Sequence, residues 1–137
     1  MSYASAIAHE PAPAAVALVI EDDADIREAL CEVLAASGYA VLAASGGAEA
    51  LRLLDAGERP GLILMDLMMP GMDGWTLLGA LRAHGLAADV PIVVTSAAGV
   101  EALESARREG ASATLAKPFD VSRMLRLLDR LRPRALH

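Results

Sequence analysis

Four apolar runs in this chain each stop on a residue equipped for chemistry. Val16-Ala17-Leu18-Val19-Ile20 ends at Glu21-Asp22-Asp23, Gly61-Leu62-Ile63-Leu64-Met65 at Asp66, Pro91-Ile92-Val93-Val94 at Thr95-Ser96, and Ala113-Thr114-Leu115-Ala116 at Lys117. As parallel strands of an open α/β sheet, these runs would gather their end residues at the carboxyl edge, where such sheets bind ligands. Carboxylates, hydroxyls and an ammonium collected there suit a cation and a phosphate.

Converging carboxylates repel one another and raise each other's pKa unless a cation neutralises them. Glu21, Asp22 and Asp66 offer only oxygen, with no His or Cys beside them. That donor set favours Mg2+ over Zn2+, and Mg2+ is commonly held by one or two carboxylates, waters and a substrate phosphate. Asp22, Asp23 and Asp25 also stand where acids favour a helix dipole by roughly 0.3–1 kcal/mol. The dipole reading is preferred for Asp23 and Asp25, the metal reading for Glu21 and Asp22.

Asp66 is followed by Leu67-Met68-Met69-Pro70 and has no helix of its own to cap, so it reads as nucleophile or ligand. A carboxylate nucleophile can take a phosphoryl group as an acyl phosphate. Phosphoryl transfer needs positioning and charge stabilisation, which Mg2+, the Lys117 ammonium, the Thr95 hydroxyl and backbone N–H groups after the third run can supply. Lys117 is the one lysine beside eleven arginines, and a lysine kept against that preference points to a need for a compact ammonium. The plainer alternatives are a β-branched strand residue for Thr95 and a surface lysine for Lys117.

The elements that would position these residues alternate along the chain. Strands are expected at about 16–21, 39–44, 61–66, 91–95 and 112–116. Helical stripes lie between them: Ile26, Leu30, Val33 and Leu34 in 24–37; Ala50, Leu51 and Leu54 in 47–56; Trp75, Leu77, Leu78 and Leu81 in 75–84. A fourth helix is expected over 99–109, and a fifth over 121–131 with Val121, Met124, Leu125, Leu128 and Leu131 inward. Gly38, Gly57 and Gly110 supply helix stops. The nearly all-apolar first and third strands read as central, covered on both faces. Right-handed crossovers leave a doubly wound sheet or a barrel, and five units are too few for a barrel of eight. The expected class is α/β, a five-stranded parallel sheet in order 2-1-3-4-5, whose switch point falls between the strands ending in Glu21-Asp22 and Asp66.

Composition agrees. A chain of 137 residues is one domain's worth, able to bury about two-thirds of its unfolded surface. Hydrophobic residues make up 55% but only four are aromatic, as expected for Ala- and Leu-rich helices packed on a sheet. A net charge of −6 argues against the basic surface that nucleic-acid binding needs. No apolar stretch nears the roughly 20 residues that span a bilayer, so the expectation is a cytoplasmic protein touching neither nucleic acid nor membrane. Cys31 stands alone and reads as packing, and His9, His84 and His137 are scattered. No glycine-rich nucleotide-binding motif follows the first strand.

Taken in order, Leu18-Val19-Ile20-Glu21-Asp22-Asp23-Ala24-Asp25-Ile26-Arg27, Leu64-Met65-Asp66-Leu67-Met68-Met69-Pro70-Gly71-Met72-Asp73-Gly74, Val93-Val94-Thr95-Ser96-Ala97 and Lys117-Pro118-Phe119 strongly resemble the receiver domain of bacterial two-component response regulators, of the single-domain, chemotaxis-regulator type. The resemblance covers about residues 16–132 and implies a flavodoxin-like fold. It implies Asp66 as phosphoacceptor, fed from a phosphohistidine on a sensor histidine kinase or a histidine phosphotransfer protein. It places Mg2+ on Asp22, Asp66 and the backbone carbonyl of Met68, with Glu21 acting largely through water. Thr95, with Ser96 beside it, would bind the phosphoryl oxygens as the switch, and Lys117 would pair with them. The Lys117–Pro118 bond is expected cis, an isomer nearly confined to proline.

Three residues depart from the family pattern. Glu21 stands where Asp is commoner, lengthening its reach to the metal. Met68 sets an apolar group beside the phosphoryl, where it would hinder water and slow self-dephosphorylation. Thr114 occupies a relay position that often carries Tyr or Phe.

The resulting expectation is a stand-alone receiver over residues 16–132, with tails at 1–15 and 133–137 and no output domain. It would catalyse at most its own phosphorylation and dephosphorylation. Phosphorylation would switch binding of a downstream protein through helix 4, strand 5 and helix 5, where Leu127 broadens the apolar stripe. Alternatives are a phosphate shuttle to a phosphotransfer protein, or an interaction module independent of phosphorylation, against which the retained Glu21, Asp22, Asp66, Thr95 and Lys117 speak. An Asp-nucleophile phosphohydrolase would usually need an acid where Met68 stands.

Overall fold

Alternation of side chains along five short strands builds two separate cores. The computed structural model describes residues 15–84 and 90–131. The strands are β1 (Val16–Ile20), β2 (Ala40–Ala44), β3 (Leu62–Asp66), β4 (Ile92–Ser96) and β5 (Ala113–Ala116), and the helices are α1 (Ala24–Ala36), α2 (Gly47–Asp55), α3 (Gly74–Ala83), α4 (Val100–Arg108) and α5 (Val121–Leu131). All pairings are parallel, in the order β2-β1-β3-β4-β5. Leu18, Ile20, Ile63, Met65, Ile92 and Val94 face α2, α3 and α4. Ala17, Val19, Leu62, Leu64, Val93 and Leu115 face α1 and α5. Every residue of β3 and β4 is buried, as strands covered on both faces must be.

Local chemistry sets where the helices start. Asp23 accepts the Ile26 N–H at 3.1 Å and caps α1, and Asp73 accepts the Thr76 N–H at 2.7 Å and caps α3. Such caps satisfy amides that a helix's first turn leaves unbonded. Asp25 lies in the first turn of α1.

Element bounds fall within a residue or two of those the sequence indicates, with β4 running on to Ser96. Two apolar residues expected inward are exposed instead, Ile26 at 39% and Val121 at 46%. Each lies in the first turn of its helix, which begins beyond the carboxyl ends of the strands and has no sheet beneath it. Leu127 is half-buried and packs at the edge of the α1–α5 core. His9, His137 and the expected tail segments other than Ala15 lie outside the described residues. Among the described residues no helix is long and apolar enough to cross a membrane.

Candidate functional site

Strand register brings the chemical residues level. Ile20 pairs with Met65, Asp66 with Thr95, and Thr95 with Leu115, so Glu21, Asp66, Thr95 and Lys117 emerge at one edge of the sheet. Carboxylate oxygens of Glu21, Asp22 and Asp66 lie within 4.8 Å of one another. Glu21 is only 2% exposed and Asp66 7%, whereas Asp22 is open to solvent.

Lys117 reaches across from β5 to both buried acids. Its Nζ donates to Glu21 Oε1 at 3.1 Å and to Asp66 Oδ2 at 3.2 Å. Glu21 Oε2 accepts the Asp23 N–H at 3.2 Å, and Asp66 Oδ1 accepts the Met68 N–H at 3.1 Å. Burial pushes the Glu21 carboxyl above the usual carboxylate range, against the pull of the Asp23 amide and Lys117 and with the help of Asp66. Burial also acts to lower the Lys117 pKa, but hydrogen bonds and charge from Glu21 and Asp66 outweigh it and hold the ammonium above its ordinary value. Lys117 therefore stays charged. Three carboxylates and one ammonium leave two negative charges, the amount one divalent cation neutralises.

The remaining residues hold this cluster or border it. Thr95 Oγ is buried and donates to the Met65 carbonyl at a long 3.4 Å, a weak bond by ordinary geometry. Ser96 Oγ accepts the Ala98 N–H at 2.9 Å and shapes the turn leaving β4. Met68 is 55% exposed, and the Lys117–Pro118 bond is cis. Thr114 lies half-buried on β5, opposite Val94.

Arg27 is a positioning residue that the sequence reading quoted without giving it a task. Its Nη1 donates to the Glu21 carbonyl at 2.8 Å and the Asp22 carbonyl at 3.4 Å, strapping the loop that carries two of the acids. The available signal was an arginine on α1 one turn past the Asp23 cap, close enough to reach back to carbonyls ahead of the helix.

Comparison with known proteins identifies the family to which a sheet of this order belongs. The family model of the response regulator receiver domain matches residues 17–129. The chain belongs to this family. FleR, a response regulator protein of Pseudomonas aeruginosa, is 38% identical over 118 residues, covering 85% of this chain and 24% of FleR. The response regulator MprA of Mycobacterium avium is 38% identical over 121 residues, covering 85% of this chain and 52% of MprA. The chain thus spans between a quarter and half the length of these curated relatives.

Solved receivers superpose closely. The chemotaxis response regulator CheY4 of Vibrio cholerae is 28% identical with a TM-score of 0.79, covering 87% of this chain and 99% of its own. A response regulator receiver protein from Pseudomonas putida is 31% identical with a TM-score of 0.78, covering 88% and 99%. The fold is therefore the flavodoxin-like receiver fold, and the acidic pocket of this receiver is Glu21, Asp22 and Asp66.

Proposed function

We propose that this receiver takes a phosphoryl group on Asp66 from a phosphohistidine of a sensor histidine kinase or histidine phosphotransfer protein, and that the phosphorylated form binds a downstream protein. The observation that carries this reading is the bridged cluster, Lys117 Nζ lying 3.1 Å from Glu21 and 3.2 Å from Asp66. In the transfer, the phosphorus–nitrogen bond of the donor breaks as a bond to an Asp66 carboxylate oxygen forms. The electron pair leaves on the histidine nitrogen.

The donor set fits Mg2+: oxygen ligands only, two surplus negative charges and one solvent-facing side. Asp22, Asp66 and the Met68 carbonyl would hold the ion, with Glu21 acting through water. The ion would neutralise charge on the acids and the equatorial phosphoryl oxygens. In the phosphorylated form Lys117, which here bridges two carboxylates, would pair with the phosphoryl group. The Thr95 hydroxyl, held only by its long bond to the Met65 carbonyl, turns to the same oxygens, while Arg27 keeps the acidic loop in place.

Incubation with acetyl phosphate and Mg2+ tests the reading by intact mass. One added phosphoryl group per chain is expected, and it should vanish when a chelator removes the metal. No labelling, or labelling indifferent to chelation, defeats the proposal.

Met68 gives a second expectation. Its exposed side chain has no strong donor or acceptor with which to orient an attacking water, as general base catalysis requires. Met68→Asn should shorten the phosphoryl half-life severalfold, followed by loss of the mass label after the phosphodonor is removed. An unchanged half-life would mean that this side chain does not limit hydrolysis.

A further inference from the structure

Helix α4 is held very differently at its two ends. Of its nine residues only Leu103 and Ala106 are buried. Its N-cap, Gly99, lies at φ +103° and provides no side-chain cap, and Val100 beside it is 69% exposed. The other end is pinned. The Arg82 guanidinium of α3 donates to the Gly110 carbonyl, just past α4, at 2.8 Å, and to the Val90 carbonyl at 3.1 Å. Between these ends a side-chain hydrogen bond joins α4 to α3, from Trp75 Nε1 to Ser105 Oγ at 3.0 Å.

The two helices joined by this bond answer to different parts of the site. Helix α3 is locked to the acceptor loop: the Gly74 N–H donates to the Leu67 carbonyl at 2.9 Å, and Leu67 directly follows Asp66. Helix α4 follows β4, whose Thr95 lies beside Asp66 in register. A Thr95 that turns toward Asp66 draws on the segment leading to the uncapped start of α4, while α3 stays where the acceptor loop holds it. Displacement then concentrates at the α3–α4 boundary, which the Trp75–Ser105 bond crosses.

We propose that the Trp75–Ser105 hydrogen bond is a latch that holds α4 against α3 in the unphosphorylated receiver and opens when Asp66 is phosphorylated, the helix pivoting about its Arg82-pinned end. This rests on the reading of Asp66 as phosphoacceptor. Opening the latch costs one hydrogen bond, so removing it beforehand shifts the equilibrium toward the open state by that amount.

The test uses beryllofluoride with Mg2+ as the phosphoryl mimic and calorimetry as the readout. Ser105→Ala and Trp75→Phe should each bind the mimic about three- to tenfold more tightly than the unaltered chain. The double variant should gain no more than either single one, and Ser105→Thr, which keeps a hydroxyl, should restore the original affinity. Trp75 is the only tryptophan, so its emission gives an independent readout. The mimic should shift it in the unaltered chain, and Ser105→Ala should already lie toward the shifted spectrum without the mimic. Unchanged affinity in the single variants, or fully additive gains in the double one, overturns the latch while leaving the phosphoacceptor standing if the unaltered chain binds the mimic. Absence of binding by the unaltered chain overturns both.

Discussion

Asp66→Asn is expected to reduce labelling by acetyl phosphate and Mg2+ to background while leaving the fold in place. Asparagine keeps a carbonyl oxygen where Asp66 Oδ1 accepts the Met68 N–H at 3.1 Å, so the turn after β3 retains its anchor. What it loses is the anionic oxygen that would attack phosphorus, and its amide nitrogen would instead face the Lys117 ammonium now 3.2 Å from Oδ2. Two donors cannot satisfy each other, so Lys117 moves to Glu21 alone. Neither remaining acid is placed to substitute. Both Glu21 oxygens are engaged, by Lys117 and by the Asp23 amide, in a side chain that is almost wholly buried, while Asp22 is open to solvent and lacks the Lys117 contact that Asp66 makes. Intact mass measured beside the unaltered chain decides the matter, with circular dichroism to establish folding. Equal labelling of the folded variant would place the acceptor elsewhere.

Much of this arrangement was legible in the residues because the same feature carries fold and site. Each apolar run ends on its candidate site residue, so finding a strand also located the side chain at its tip, and the order of the sheet brought Glu21 and Asp66 to its switch point. Lys117 showed itself by being lysine in a chain that otherwise uses arginine. What escaped were contacts between residues distant in sequence or facing the backbone. The reach of Arg27 to two carbonyls has no hydrophobic period to betray it. Trp75 had a place in the α3 stripe, but its bond to Ser105 depends on two helices lying side by side. Ile26 and Val121 fit their periods and still emerge exposed, because a period identifies the inward direction without revealing whether a strand lies beneath that turn.

The alternation of strand ends and helix starts also makes one glycine far more sensitive than its neighbour. A Cβ on Gly74 would collide with the Leu67 carbonyl oxygen and stand 2.6 Å from the Leu67 Cα, overlaps that only a backbone shift can relieve. Gly74→Ala should therefore cost about 3 kcal/mol, the upper part of the usual range for overpacking, and lower Tm by about 10 °C for a domain of this size. Because Leu67 adjoins Asp66, the same shift should weaken labelling in the molecules that remain folded. Gly79, five residues along the same helix, has open space where its Cβ would point. There alanine only removes the conformational freedom of glycine in a helix interior, so Gly79→Ala should stabilise the chain by about 0.5–1 kcal/mol and leave labelling unchanged. Thermal unfolding of the two variants side by side separates a steric requirement from helix propensity, since propensity alone would raise Tm in both. A Gly74→Ala protein that melts with or above the unaltered chain would show that the acceptor loop yields to α3, and the lock between Leu67 and Gly74 would then transmit nothing from the site.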